Sequence, residues 1–95
     1  MAELASIKVT IPEDVIARDI GDGEMILLDI NNEDYYGLDE IGTRVWKALT
    51  SGVSVQKSCE MLSKEFDSDY DTLSNDVFEF MEDLKQSGLI KVSDV

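Results

Sequence analysis

The chain has 95 residues, room for one small domain, and we read residues 1–95 as that single domain. Its 8 basic and 21 acidic residues leave a formal charge of −13, the wrong sign for a phosphate backbone or an anionic membrane surface. One cysteine and no histidine exclude an internal disulfide, a Cys/His zinc site and a His-based catalytic pair.

Apolar residues make up 43% of the chain and recur periodically, so a packed core is expected despite the charge. No basic stretch followed by an apolar run opens the sequence, and no run approaches a membrane span. The expected setting is the cytoplasm, with no nucleic acid and no membrane as partner. The acidity keeps such a domain soluble and would attract a basic peptide or the basic face of another protein.

In chain order, Met1 to Ser6 reads as a loose end, and Ile7 to Ile11 alternates apolar with polar as a half-buried strand does. Pro12 ends that strand. Val15 to Asp19 is a weaker strand pattern, expected to join the same small sheet. Gly21-Asp22-Gly23 supplies a hairpin turn, because glycine accepts the positive φ such turns need. Glu24 to Ile30 is the most apolar stretch and suits a central strand covered on both faces. Asn31-Asn32-Glu33 forms a second turn, with asparagine expected to take the left-handed conformation. Asp34 to Leu38 returns antiparallel.

Asp39 caps a helix predicted over Glu40 to Thr50, with Ile41, Val45, Ala48 and Leu49 as its apolar stripe and Trp46 beside it. Gly52 stops it. Ser54 caps a second helix whose stripe is Val55, Cys59, Leu62 and Phe66. Cys59 is therefore expected as a packed thiol, with no histidine or arginine placed to activate it. A third helix is predicted over Thr72 to Ser87, closed by Gly88, with Leu73, Val77, Phe80 and Leu84 facing the core. Leu89 to Val92 reads as a short strand or extended tail, and the last three residues are expected to fray.

Several motifs fail on inspection. Asp67, Asp69 and Asp71 occupy the first three acidic places of a calcium loop. Thr72 stands where that loop needs glycine, and Phe78 where it needs a bidentate glutamate. Helix-turn-helix followed by a strand matches a winged-helix order, but the third helix sets Asp76, Glu79, Glu82 and Asp83 against one cation, Lys85, so it cannot read DNA. No base–nucleophile pair can be nominated, and no cofactor is expected.

What remains is a binding surface. Phe78 and Met81 widen the apolar arc of the third helix, alongside Ser74 and Lys85, either as a broader core contact or as the wall of a groove. The strand Asp34 to Leu38 ends the predicted meander, so one edge of it is open to an added strand.

The run LLDINNEDYYGLDEIGTRVW (Leu27 to Trp46), followed by DVFEFMEDLKQSGLI (Asp76 to Ile90), resembles the PqqD-like family, the peptide-recognition elements of ribosomal-peptide natural product pathways. Within it the chain looks most like the stand-alone leader-binding proteins of lasso-peptide clusters. The resemblance implies an α+β fold: a small antiparallel three-stranded sheet followed by three helices, related to winged helix-turn-helix domains. It implies a non-enzymatic adaptor, whose partners are the leader segment of a precursor peptide and a separate leader peptidase or other modifying enzyme. The leader would add as a strand along Asp34, Tyr35, Tyr36 and Gly37. Ser74, Val77, Phe78, Met81 and Lys85 would form the helix wall, and Phe78→Ala would weaken leader binding about tenfold or more. Asp39 stands where many relatives carry asparagine. A chaperone for a radical-SAM enzyme and a winged-helix assembly or regulatory subunit are the alternatives.

Overall fold

The computed structural model describes residues 7–94, so the expectation for Met1 to Ser6 lies outside the described residues. The elements run β1 (Ile7–Thr10), β2 (Val15–Gly21), β3 (Glu24–Asp29), β4 (Asp34–Leu38), α1 (Glu40–Leu49), α2 (Val55–Glu65), α3 (Tyr70–Gln86) and β5 (Lys91–Asp94). The class is α+β: an antiparallel meander ordered β2-β3-β4, then three helices, in winged helix-turn-helix-like order.

The two hairpins set the register. Gly21, Asp22 and Gly23 all take positive φ between β2 and β3, as the turn requires. At the β3–β4 turn the left-handed residue is Glu33, not an asparagine. The asparagine side chains have other work. Asn32 donates to the buried Asp29 carboxylate through its backbone N–H (3.3 Å) and its side-chain amide (2.7 Å), while Asn31 donates to Asp14. The turn is thus tied to the ends of β2 and β3, and β4 leaves it with Asp34 opposite Asp29 and Leu38 opposite Met25.

Each helix begins at the cap the sequence marks. Asp39 accepts from the N–H of Gly42, Ser54 from that of Lys57, and Asp69 from that of Thr72. The last of these explains the acidic loop ahead of α3: its aspartates serve the helix start, and α3 begins two residues earlier than the sequence suggested. An Arg44–Glu65 ion pair with two hydrogen bonds joins α1 to α2 on the surface.

The core lies between the inner face of the meander and the helices. Leu27, Leu49, Val55, Cys59, Leu62, Val77 and Leu84 are sealed within it. Trp46 is central there rather than peripheral, at 2% exposed, whereas Ile41 leaves the stripe and is 65% exposed. On α3 the buried arc is Leu73, Ser74, Val77, Met81 and Leu84; Phe80 sits half-buried on its flank.

Three expectations for the strands are corrected. β1 does not join the meander but pairs with β5 in a separate two-stranded ribbon. Ser93 and Asp94 do not fray, because they pair with Lys8 and Ile7. β3 is covered on one face only: Met25, Leu27 and Asp29 are buried, while Ile26 and Leu28 on the other face stay partly exposed.

Candidate functional site

β4 is the end strand of its sheet, so its outer edge has no strand partner among the described residues. An unpaired edge leaves alternate backbone N–H and C=O groups free to bond a further extended chain. The edge is short and bordered by Asp34 and Asp39, both exposed. Alternation turns Tyr36 and Leu38 inward, opposite Leu27 and Met25, and turns Tyr35 and Gly37 outward.

A cavity of about 430 Å³ opens between this strand and α3, and it lies within the size range of ligand pockets. Tyr36, Gly37, Leu38 and Asp39 form its strand side. The first turns of α1 contribute Ile41, Gly42 and Val45, which explains why Ile41 is exposed: it looks into the cavity, not the core. Leu73, Asp76, Val77 and Phe80 form the α3 wall, and Phe66, the C-cap of α2, closes the end. The lining is mostly apolar, and its charged side chains are two carboxylates, Asp39 and Asp76. One oxygen of Asp39 is engaged by the Gly42 N–H at 2.7 Å.

A second hollow of about 50 Å³ continues along the other half of β4. It is bounded by Asp29, Asp34, Tyr35, Tyr36, Ser87 and Leu89, so Tyr36 borders both hollows. Together they make a trough along β4, bounded opposite by α3 at the first hollow and by Ser87 and Leu89, just past α3, at the second. Such a trough suits an extended peptide whose backbone pairs with the edge while alternate side chains drop between strand and helix.

The residues expected from sequence fall into two groups. Asp34, Tyr35, Tyr36, Gly37 and Val77 line the trough. The remaining four do not border it. Ser74 and Met81 are buried, and the Ser74 hydroxyl donates back to the carbonyl of Tyr70 at 2.5 Å. Phe78 borders a shallow depression with Glu79, Glu82 and Asp83. Lys85 is exposed and lines neither hollow. The cause is helical geometry: at about 100° per residue, Phe78 and Lys85 fall on one flank of the buried arc, Asp76 and Phe80 on the other. The flank that faces β4 is the latter. Sequence could have found Phe80 and Asp76 only by knowing which side of α3 the meander occupies.

Cys59 is fully buried, and burial, with the nearby Glu60 charge, pushes its thiol pKa up, away from a reactive thiolate. Among the described residues no cluster of acids, cysteine or histidine could hold a metal ion. No helix is long and apolar enough to cross a membrane.

Comparison with known proteins adds three findings. Residues 24–90 match the family described as Coenzyme PQQ synthesis protein D (PqqD). Among solved structures, "TbiB1 in Complex with the TbiA(beta) Leader Peptide" is similar with a TM-score of 0.79 and 28% identity, over 85% of this chain and 93% of that one. "Lasso peptide synthetase B1 complexed with the leader peptide" also has a TM-score of 0.79, at 19% identity, over 88% of this chain and 98% of that one, a likeness of fold. No curated protein matches the chain.

Proposed function

From the premise that the chain belongs to the PqqD family, we propose that it is a non-catalytic adaptor for a ribosomally made precursor peptide. It binds the leader segment of the precursor as an added strand on β4 and hands the precursor to a separate processing enzyme, a leader peptidase of the lasso-peptide type. The whole chain acts as one recognition domain.

The observation that carries this reading is the pairing of a free strand edge with an apolar trough beside it. The edge offers register-fixing hydrogen bonds, and the trough offers places for side chains of every second peptide residue. The solved relative at 28% identity is described as a complex with a leader peptide, which supports the same ligand class here. The strand contacts are Asp34, Tyr35, Tyr36 and Gly37. The helix wall is Leu73, Asp76, Val77 and Phe80, in place of the set centred on Phe78 that the sequence suggested.

Fluorescence polarisation of a labelled leader peptide, taken from the precursor encoded alongside this chain, tests the reading. Saturable binding that a scrambled leader does not reproduce is the expected result. A folded chain that fails to bind would overturn it.

A further inference from the structure

The outer face of the meander carries an apolar surface that no other element among the described residues covers. Cross-strand neighbours on it are Ile16, Leu28 and Tyr35 in one row, and Arg18, Ile26 and Gly37 in the next. At its ends lie Ile20, in the β2 bulge, and Ile30, one residue past β3, 59% and 55% exposed, and Tyr35 is 69% exposed. Ile26 and Leu28 are half-buried, and neither packs on the core cluster. β3 is thus apolar on both faces, the pattern of a strand enclosed on two sides, yet only one side is enclosed. A contiguous apolar face of this kind marks an interaction surface.

Charge identifies the occupant. The hairpin at one end of the face holds Asp19, Asp22 and Glu24, all exposed, and the turn at the other end holds Glu33 and Asp34. Arg18 is the one cation in the two rows, and a second copy packed face to face would still bring the acidic ends against each other, in a chain of formal charge −13. A partner with an apolar centre and lysines or arginines around it fits instead.

We infer that this face is where the processing enzyme docks, by an apolar patch with a basic rim. The inference rests on the adaptor reading, which requires a second surface once the peptide occupies the β4 edge. It also uses the continuity of the two: a strand added beside β4 extends the sheet, so its outward side chains join the Tyr35 and Gly37 edge of the same face. The enzyme then meets adaptor and peptide as one surface.

The test measures direct association, by biolayer interferometry, between the chain and the peptidase encoded alongside it, with and without leader peptide. The Ile20→Glu/Ile30→Glu double variant changes two exposed side chains outside the trough, and circular dichroism checks its fold. Its association is expected to fall at least tenfold while leader polarisation stays within twofold of the parent. The Asp22→Asn/Glu24→Gln variant is expected to weaken association and to flatten its salt dependence. Undiminished association of the Ile20→Glu/Ile30→Glu variant overturns the inference. So does a peptide-free dimer, seen by sedimentation, that this variant dissolves. A parent chain that fails to bind leader would strike the adaptor reading separately, since the association measurement does not depend on it.

Discussion

Phe78 and Phe80 stand two residues apart on α3 and face opposite flanks of it: Phe80 lines the cavity beside β4, while Phe78 packs against the core and borders a depression with Glu79, Glu82 and Asp83. A helix turns about 160° over the shorter arc between such positions. The pair therefore distinguishes the two banks α3 could offer.

Phe80→Ala removes an aromatic wall from the trough, worth roughly 1.5–3 kcal/mol if a leader side chain packs on it, or tenfold and more in affinity. Phe78→Ala should change leader binding by less than about twofold, on the same scale. Polarisation titrations of both variants check this. The reverse ranking would place the peptide on the other flank.

Gly37 gives a second. A Cβ at this position would meet nothing within 4 Å, and its φ is not in the left-handed region, so the fold itself does not need glycine there. Gly37→Ala should raise stability by about 0.5–1 kcal/mol, because glycine loses more backbone entropy in a strand than alanine does. Urea denaturation measures it. A loss of stability would mean that the edge is strained in a way its geometry does not reveal.

Asp29 gives a third. The residue is 5% exposed and its carboxylate accepts two hydrogen bonds from Asn32, fixing the turn from which β4 starts. Asp29→Ala should cost about 1–3 kcal/mol and leave Asn32 donors without their acceptor. Leader affinity should fall with it, since the register of β4 depends on that turn. A variant as stable as the parent in urea would remove this role.

The fourth concerns pH. Hydrogen bonding to Arg44 holds the Glu65 carboxyl below its ordinary range, and Glu65 in turn raises the arginine. A group whose pKa is lowered on folding contributes stability above its unfolded pKa, near ~4.3, and loses that contribution as pH falls through the folded value. The parent should therefore melt above Glu65→Gln at pH 7, and the gap should close in acid. Both groups are well exposed, so the gap should also narrow in about 1 M salt. A gap that persists in acid would point to packing of the side chain rather than its charge.

Cys59 completes the set. With the thiol sealed in the core and its pKa raised, a disulfide reagent at pH 8 should react orders of magnitude more slowly than in urea. Fast labelling of the folded chain would show that α2 opens readily.

Local chemistry made much of this fold readable. Asp39, Ser54 and Asp69 are caps whose side-chain oxygens meet backbone N–H groups, and Gly52 and Gly88 take the positive φ that ends a helix. The strand edge was legible too, because a meander leaves an end strand. The α3 wall was not. Periodicity gives the centre of a helix's apolar arc, but Phe78 and Phe80 extend that arc on opposite flanks, and only tertiary placement chooses between them. The pairing of β1 with β5 was hidden for a similar reason: their partners lie more than eighty residues apart, and nothing local encodes it. Ile41 misled because its spacing matches the core stripe while its position, in the first turn of α1, overhangs the cavity.

The ribbon of β1 and β5 carries a consequence for how such a unit can be used. Ile7 lies opposite Asp94, so the described chain starts and finishes side by side, about 5 Å apart as paired strands are. A polypeptide with adjacent ends can be spliced into a surface loop of a larger protein without opening the host or stretching the guest. The ribbon would serve as the stem of such an insertion, and the trough beside β4 lies on a different sheet from it.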